Sequence, residues 1–257
     1  MKTAKEVYAV IEARMGSTRL PGKMALDLYP GLPALGAVIE RLLACKNVKG
    51  VVVATTEKDS DDRLLPIAKR FGAVCYRGSE TDVLGRVVGA GTAAAAEALV
   101  LVTGDCSCIS PSLIDEGVDF FFNHAYDLVS NCLEDSYPVG IDMQVAGFSA
   151  LSRAHETARR APYNSDSNNF EHTNYFIKSH PELFSSYRYP APAKFNRPDI
   201  HLALDTEADL EVMRRIYGRL YPVNKLFDTG DIIKLLDDEP GILEPLKGRS
   251  INRTGIK

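Results

Sequence analysis

The sequence predicts an α/β fold, with a mainly parallel, twisted sheet covered by helices on both faces. Three observations carry that expectation. Through the first half of the chain, short apolar runs of strand length alternate with amphipathic stretches. The amphipathic stretches are ~10–15 residues long, the span of a crossover between parallel strands rather than of a hairpin turn. The glycine- and charge-rich segments fall just after the apolar runs, at the edge where open α/β sheets collect ligands.

Taken in order, residues 7–11 are apolar and end at Glu12, so they read as a buried strand. A polar loop over 13–23 precedes a helix over 34–45, where apolar residues recur at helical spacing. A second strand is expected over 51–55, a helix over 61–71 closed by Gly72, and a short third strand over 73–76. A helix over 82–98 leads to a fourth strand over 99–103. Pro111 suits the first turn of the next helix, to about 122, and 127–130 begins another strand.

From 134 to 198 the alternation breaks. Helices are expected over 148–160 and 170–179, and Pro190, Pro192 and Pro198 mark irregular chain. The expectation is an excursion that covers one end of the sheet as a lid or dimerisation arm, within one domain spanning 1–257. A returning strand over 202–205 then leads into a helix over 207–220. Thr206 caps it in a T-x-x-D box with Asp209. A last short helix is expected over 228–236.

Composition excludes several classes. With 45% hydrophobic and 25% charged residues, the chain reads as an ordinary soluble protein. A formal net charge of -4 gives no polyanion-binding surface, so a nucleic-acid partner is not expected. No apolar run approaches the ~18 residues of a membrane span, and the first residues hold no apolar signal core, so a cytoplasmic location is expected. Cys45, Cys75, Cys106, Cys108 and Cys132 are scattered, which argues for reduced thiols rather than a disulfide framework or a structural zinc site.

The loop over 13–23 holds Gly16 and Gly22, Ser17 and Thr18, Pro21, and the cations Arg14, Arg19 and Lys23. Exposed backbone N–H groups beside fixed cations suit phosphate oxygens. The spacing is neither that of the Walker loop nor that of the dinucleotide fingerprint. Thr103-Gly104-Asp105 ends the fourth strand, and Asp205 ends the returning apolar run. Two carboxylates at two strand ends of one sheet can meet on one divalent cation. After the third strand, Arg77, Ser79 and Arg86 offer donors. A formal G-x-G-x-x-A over 89–94 lies inside a predicted crossover helix, where small residues serve helix-to-sheet packing instead of dinucleotide binding.

These motifs together resemble one family. A-R-M-G-S-T-R-L-P-G-K over 13–23, R-G-S-x-x-D-V-L over 77–84, T-G-D over 103–105 and L-D-T-x-x-D-L over 204–210 occur in the order found in the sugar cytidylyltransferases. That family includes the CMP-Kdo and CMP-sialic acid synthetases. The spore-coat-polysaccharide cytidylyltransferase-like proteins look nearest to this chain. The resemblance implies a Rossmann-like, nucleotide-diphospho-sugar transferase fold. It also implies a reaction in which an acceptor hydroxyl attacks the α-phosphorus of CTP and pyrophosphate leaves.

By the same resemblance, Arg14, Lys23, Asp105 and Asp205 are the catalytic residues, and Asp105 and Asp205 hold Mg²⁺. Ala13, Gly16, Ser17, Thr18 and Arg19 join Arg14 and Lys23 around the triphosphate, with Arg77 and Ser79 at the base and ribose. Y-P-x-G-x-D over 137–142 and E-H over 171–172 match the elements that border the acceptor, which brings in Asp142, Glu171 and His172. A sugar-like, acidic acceptor and a homodimer are implied as well. Three departures stand out: Glu12 where relatives often carry Gln, the stretch 106–110, and 199–202 without the usual basic residue. They leave open another nucleotide, a phosphonate or non-carboxylate acceptor, or a non-catalytic nucleotide-binding subunit on the same scaffold.

Overall fold

The structure is a computed structural model that describes residues 5–133 and 135–248. Glu134, the expected start of the excursion, lies outside the described residues, as do 1–4 and 249–257 of the expected domain. The first half runs β1 (Val7–Glu12), a small ribbon of β2 (Asp27–Tyr29) and β3 (Leu32–Pro33), then α1 (Ala34–Leu43). It continues with β4 (Gly50–Thr56), α2 (Leu64–Arg70), β5 (Val74–Gly78), α3 (Val83–Ala93), β6 (Ala98–Thr103) and α4 (Pro111–Asn123). The second half adds β7 (Leu128–Ser130), β8 (Gln144–Gly147), α5 (Phe148–Ala158), α6 (Asn168–Glu171), α7 (Tyr175–Ser179) and β9 (Ser186–Arg188). It closes with α8 (Glu207–Leu220) and α9 (Thr229–Asp238).

The main sheet has the order β5-β4-β1-β6-β8-β7-β9. Every pairing is parallel except those of β8, which runs antiparallel to both β6 and β7. Alternate residues of a strand face opposite sides, and two cores result. Val7, Ala9 and Ile11 of β1 pack with α1, α4, α8 and α9, while Val10 packs with α3, α5 and α7 on the other face. The glycines over 89–91 serve this packing. A Cβ at Gly89 would strike Tyr76, and one at Gly91 would strike Phe148. Among the described residues no helix is long and apolar enough to cross a membrane.

Several expectations need correction. Residues 202–205 are not a strand. A single bridge, Val139 to His201, is all that forms there, and the Leu204 N–H bonds to the Asp105 carbonyl at 3.0 Å beyond the end of β6. Leu202 and Leu204 are apolar because they are fully buried, not because they extend a ladder. The helix expected over 170–179 is broken into α6 and α7, with buried Thr173 between them. The helix expected over 61–71 starts with a 3-10 turn over Asp59–Arg63. The segment after 134 also supplies sheet as well as cover, because β8 sits between β6 and β7 and β9 forms the edge. Four residues of strand were too few to read as a period.

The contact between 137–141 and 200–204 depends on Gly140, whose φ is 90°. A Cβ there would lie 2.6 Å from the Ala203 nitrogen and the Leu202 carbonyl carbon. Gly140→Ala is expected to lower the unfolding free energy by about 2 kcal/mol or more, combining backbone strain with overpacking. A urea titration with an unshifted midpoint would contradict this.

Candidate active site

At the carboxyl edge of the sheet lies a cleft of about 510 Å³. Its walls come from the loop after β1, the residues leading into α3, the end of β6, the α6 terminus and the segment before α8. It brings together Ala13, Arg14, Gly16, Ser17, Thr18, Arg19, Lys23, Asp105, Glu171, His172 and Asp205.

At its centre the Lys23 ammonium donates to Asp105 Oδ2 at 3.0 Å, Asp205 Oδ1 at 3.1 Å and the Leu204 carbonyl at 2.7 Å. Arg19 reaches the same Asp205 oxygen at 3.0 Å. Burial alone would depress the Lys23 pKa, but the charges of Asp105 and Asp205 lift it above the ordinary lysine range. Gly104 makes the approach possible. Its N–H bonds to the Glu12 carbonyl at 2.9 Å, and a Cβ would collide with Met24 Sδ at 2.5 Å.

The glycine loop is pinned at one end. Met15 N–H donates to Asp61 Oδ1 at 2.7 Å, while Oδ2 accepts from Thr55 Oγ1 and from both the N–H and hydroxyl of Thr56. Burial would raise the Asp61 carboxyl, but the hydrogen bonds from Thr56, Met15 and Thr55 hold it below the usual carboxylate range. Within the loop the Ser17 N–H is taken by the Met15 carbonyl at 2.9 Å. Among the described residues, the N–H groups of Gly16, Thr18 and Arg19 have no acceptor and stay available to an anion. Arg14 bonds Glu80 at 3.2 Å, and Lys58 holds the other oxygen of Glu80 at 2.6 Å.

Three of the expected residues do not line this cleft. Arg77 donates to the carbonyls of Thr56 and Lys58 and to Asp62, so it clamps the chain after β4. Ser79 Oγ accepts from the Asp82 N–H at 3.0 Å and closes the turn before α3. Asp142 lies behind Asp105. Burial and the Asp105 charge raise its carboxyl, while the Cys106 and Cys132 thiols and the Gly140 N–H pull partway back. From the 77–86 stretch the cleft instead takes Glu80, Thr81, Val83 and Arg86, and from β1 it takes Glu12. The Thr173 hydroxyl donates to Glu12 Oε1.

A divalent cation suits this donor set. Among the described residues no cluster of three or more His, Cys, Asp or Glu could hold a metal unaided. Asp105 and Asp205 do offer two hard oxygen donors converging on one point, now taken by the Lys23 ammonium. Mg²⁺ commonly binds through one or two carboxylates plus water and substrate phosphates.

Residues 8–229 match the family described as Cytidylyltransferase. The spore coat polysaccharide biosynthesis protein SpsF of Bacillus subtilis (strain 168) is 30% identical over 221 residues, 83% of this chain and 87% of that protein. The structure of a cytidylyltransferase from Leptospira borgpetersenii serovar Hardjo-bovis (strain JB197) has a TM-score of 0.85 at 30% identity, covering 96% of this chain and 99% of that one. A CMP:2-keto-3-deoxy-manno-octonic acid synthetase complexed with CTP shares the fold, with a TM-score of 0.61 at 19% identity over 83% of this chain and 98% of that one.

Asp61 escaped the sequence reading because Asp59, Asp61 and Asp62 look like one solvated acidic run. Asp61→Asn is expected to destabilise the protein by about 2 kcal/mol, since hydrogen bonds to a buried charge are each worth roughly 1.5–3 kcal/mol. A lowered folded pKa contributes stability above the unfolded carboxylate value of about 3.9 and loses it as pH falls through the folded value. The difference between wild type and variant in urea titrations should therefore be full at pH 7 and shrink below about pH 4. A difference that grows in acid would be inconsistent with this role.

Proposed function

The chain belongs to the cytidylyltransferase family and is a nucleotidyltransferase, and from that premise we propose that it uses CTP to make a CMP-activated sugar. The acceptor in this reading is an acidic sugar for a surface polysaccharide, and pyrophosphate is the other product. The observation that carries the proposal is the meeting of Lys23, Asp105 and Asp205 at one point of the cleft. The polysaccharide role in SpsF's name and the CTP in the fold-related synthetase support the choice of substrates.

The reaction forms a bond from the acceptor oxygen to the α-phosphorus and breaks the bond to the pyrophosphate oxygen. Such a transfer needs alignment and charge neutralisation more than covalent help. The free N–H groups of Gly16, Thr18 and Arg19 hold the triphosphate oxygens from one side. Arg14 and Lys23 place positive charge beside the departing pyrophosphate. Asp105 and Asp205 would hold Mg²⁺, which when bound supplies positive charge to the phosphate oxygens and acidity to the acceptor hydroxyl. Glu171 and His172 border the acceptor end, with Asp142 behind Asp105. We assign the assembly as a homodimer, which light scattering in solution tests.

The test is pyrophosphate release from CTP, UTP, ATP and GTP with Mg²⁺, each against 3-deoxy-2-keto sugar acids and neutral sugars. CTP with an acidic sugar is expected to give the highest rate; release that depends on another nucleotide, with none from CTP, defeats the reading. Asp205→Asn and Lys23→Met should each lower kcat by about 10²–10³, the scale of one lost electrostatic contact to the transition state. A variant at either position that keeps the wild-type rate would remove that residue from the mechanism.

A further inference from the structure

Lys23, Arg19 and Arg14 on the glycine loop are each paired with an acid. Arg86, at the end of the first turn of α3, stands apart from them. It lines the cleft yet is only 4% exposed, and it forms no ion pair among the described residues. One amino group donates to the Ser79 carbonyl, and its buried Nε has no partner. A buried guanidinium with unused donors is costly unless a further acceptor arrives. Glu12, on the same cleft, uses one oxygen for Thr173, and its other oxygen accepts no hydrogen bond among the described residues. The two side chains sense each other's charge but share no hydrogen bond.

We propose that Arg86 and Glu12 read the nucleobase, Arg86 donating to its carbonyl and ring nitrogen and Glu12 accepting from its exocyclic amine. The assignment rests on the CTP reading and deepens it. Cytosine carries an amine beside an unprotonated ring nitrogen and a carbonyl. Uracil reverses the first two positions, so a carboxylate would face a carbonyl and a guanidinium would face an N–H. A phosphate is the poorer occupant, because Glu12 lines the same cleft and its charge acts on Arg86. A neutral base meets no such repulsion. This places base recognition on residues other than Arg77 and Ser79, whose hydrogen bonds are made within the protein. A carboxylate accepts only, whereas an amide can donate or accept.

Calorimetric titration of the full chain with CTP, UTP and inorganic tripolyphosphate, all with Mg²⁺, separates the outcomes. Wild type should bind CTP at least about tenfold tighter than UTP, the scale available where a site pairs with a specific polar group. Glu12→Gln, nearly isosteric, should narrow that ratio at least about threefold, because an amide can donate to the uracil carbonyl while Arg86 still opposes the uracil N–H. Arg86→Met should weaken CTP about tenfold or more while tripolyphosphate binding, held by the glycine loop, stays within about threefold. Retained tripolyphosphate binding also shows that the variant is folded. If wild type prefers CTP and Glu12→Gln keeps the full preference, the base-reading assignment is wrong and the CTP reading stands. The assignment fails in the same way if Arg86→Met binds CTP normally. A wild type that binds tripolyphosphate but no CTP defeats both.

Discussion

One ammonium group sets the geometry of the cleft. Lys23 belongs to the glycine loop, Asp105 to the end of β6 and Asp205 to the approach to α8, separated by 82 and 182 residues from the lysine. Two carboxylates brought to a common point repel each other unless a positive charge lies between them. Lys23 supplies it, and the backbone reinforces the pairing. The Leu204 N–H reaches the Asp105 carbonyl while the Leu204 carbonyl receives the lysine. The glycine loop and the two acid-bearing segments are thereby fixed to each other in the bare protein. Asp209 adds to this from α8. Its Oδ2 accepts from the N–H groups of Asp205 and Thr206, so the capping box that starts the helix also holds the carboxylate-bearing turn.

Behind that centre, the unusual stretch over 106–110 forms wall, not site. Cys106, Ser107, Cys108, Ile109 and Ser110 are all buried. Tyr217 of α8 donates to the Ser107 carbonyl, and Cys108 lies against Met213. Arg41, only 1% exposed, donates to the carbonyls of Ile109, Lys225 and Phe227, and its guanidinium sits 4.5 Å from the Phe227 ring centre. A charge buried this deeply is tolerable because its donors are met by carbonyl oxygens. The stretch serves packing, and it leaves the cleft-facing position of Asp105 intact.

What the sequence made legible follows from what each residue must do locally. The glycine loop is readable because exposed N–H groups and cations at a strand end have few other uses. Asp105 stands out because it follows the end of a parallel strand, where ligands gather, whereas Asp205 stands out as the end of a strand that does not form. Arg77 was not readable, since its direction depends on where β5 ends. The strand runs to Gly78, two residues past the expected 76, and side chains alternate along it. Cys75 faces the α1 side and Tyr76 the α3 side, so parity sends Arg77 to the Cys75 side, where it meets Asp62. Asp61 was hidden for a different reason. Its role lies in a contact with Met15 across 46 residues of chain, and no local pattern marks it. Strand β8 was hidden by its length and by its direction, opposite to every neighbour.

The charges lining the cleft bear on the triphosphate binding proposed for it. Four cations, Arg14, Arg19, Lys23 and Arg86, stand among five acids, Glu12, Glu80, Asp105, Glu171 and Asp205. A polyanion placed there on the protein's charges alone would meet a surface that is already balanced toward the negative. If the chain binds a triphosphate as proposed, binding would be an exchange of partners, with Arg14 giving up Glu80, and Arg19 and Lys23 giving up Asp205 and Asp105, to face phosphate oxygens. Glu80 would keep Lys58, whereas Asp105 and Asp205 would be freed together at one point. Two adjacent carboxylates beside phosphate oxygens form the oxygen-rich surroundings that a hard divalent cation prefers. In the proposed reaction the pairing that steadies the bare cleft would give way, and Asp105 and Asp205 would then be the residues to hold a metal ion.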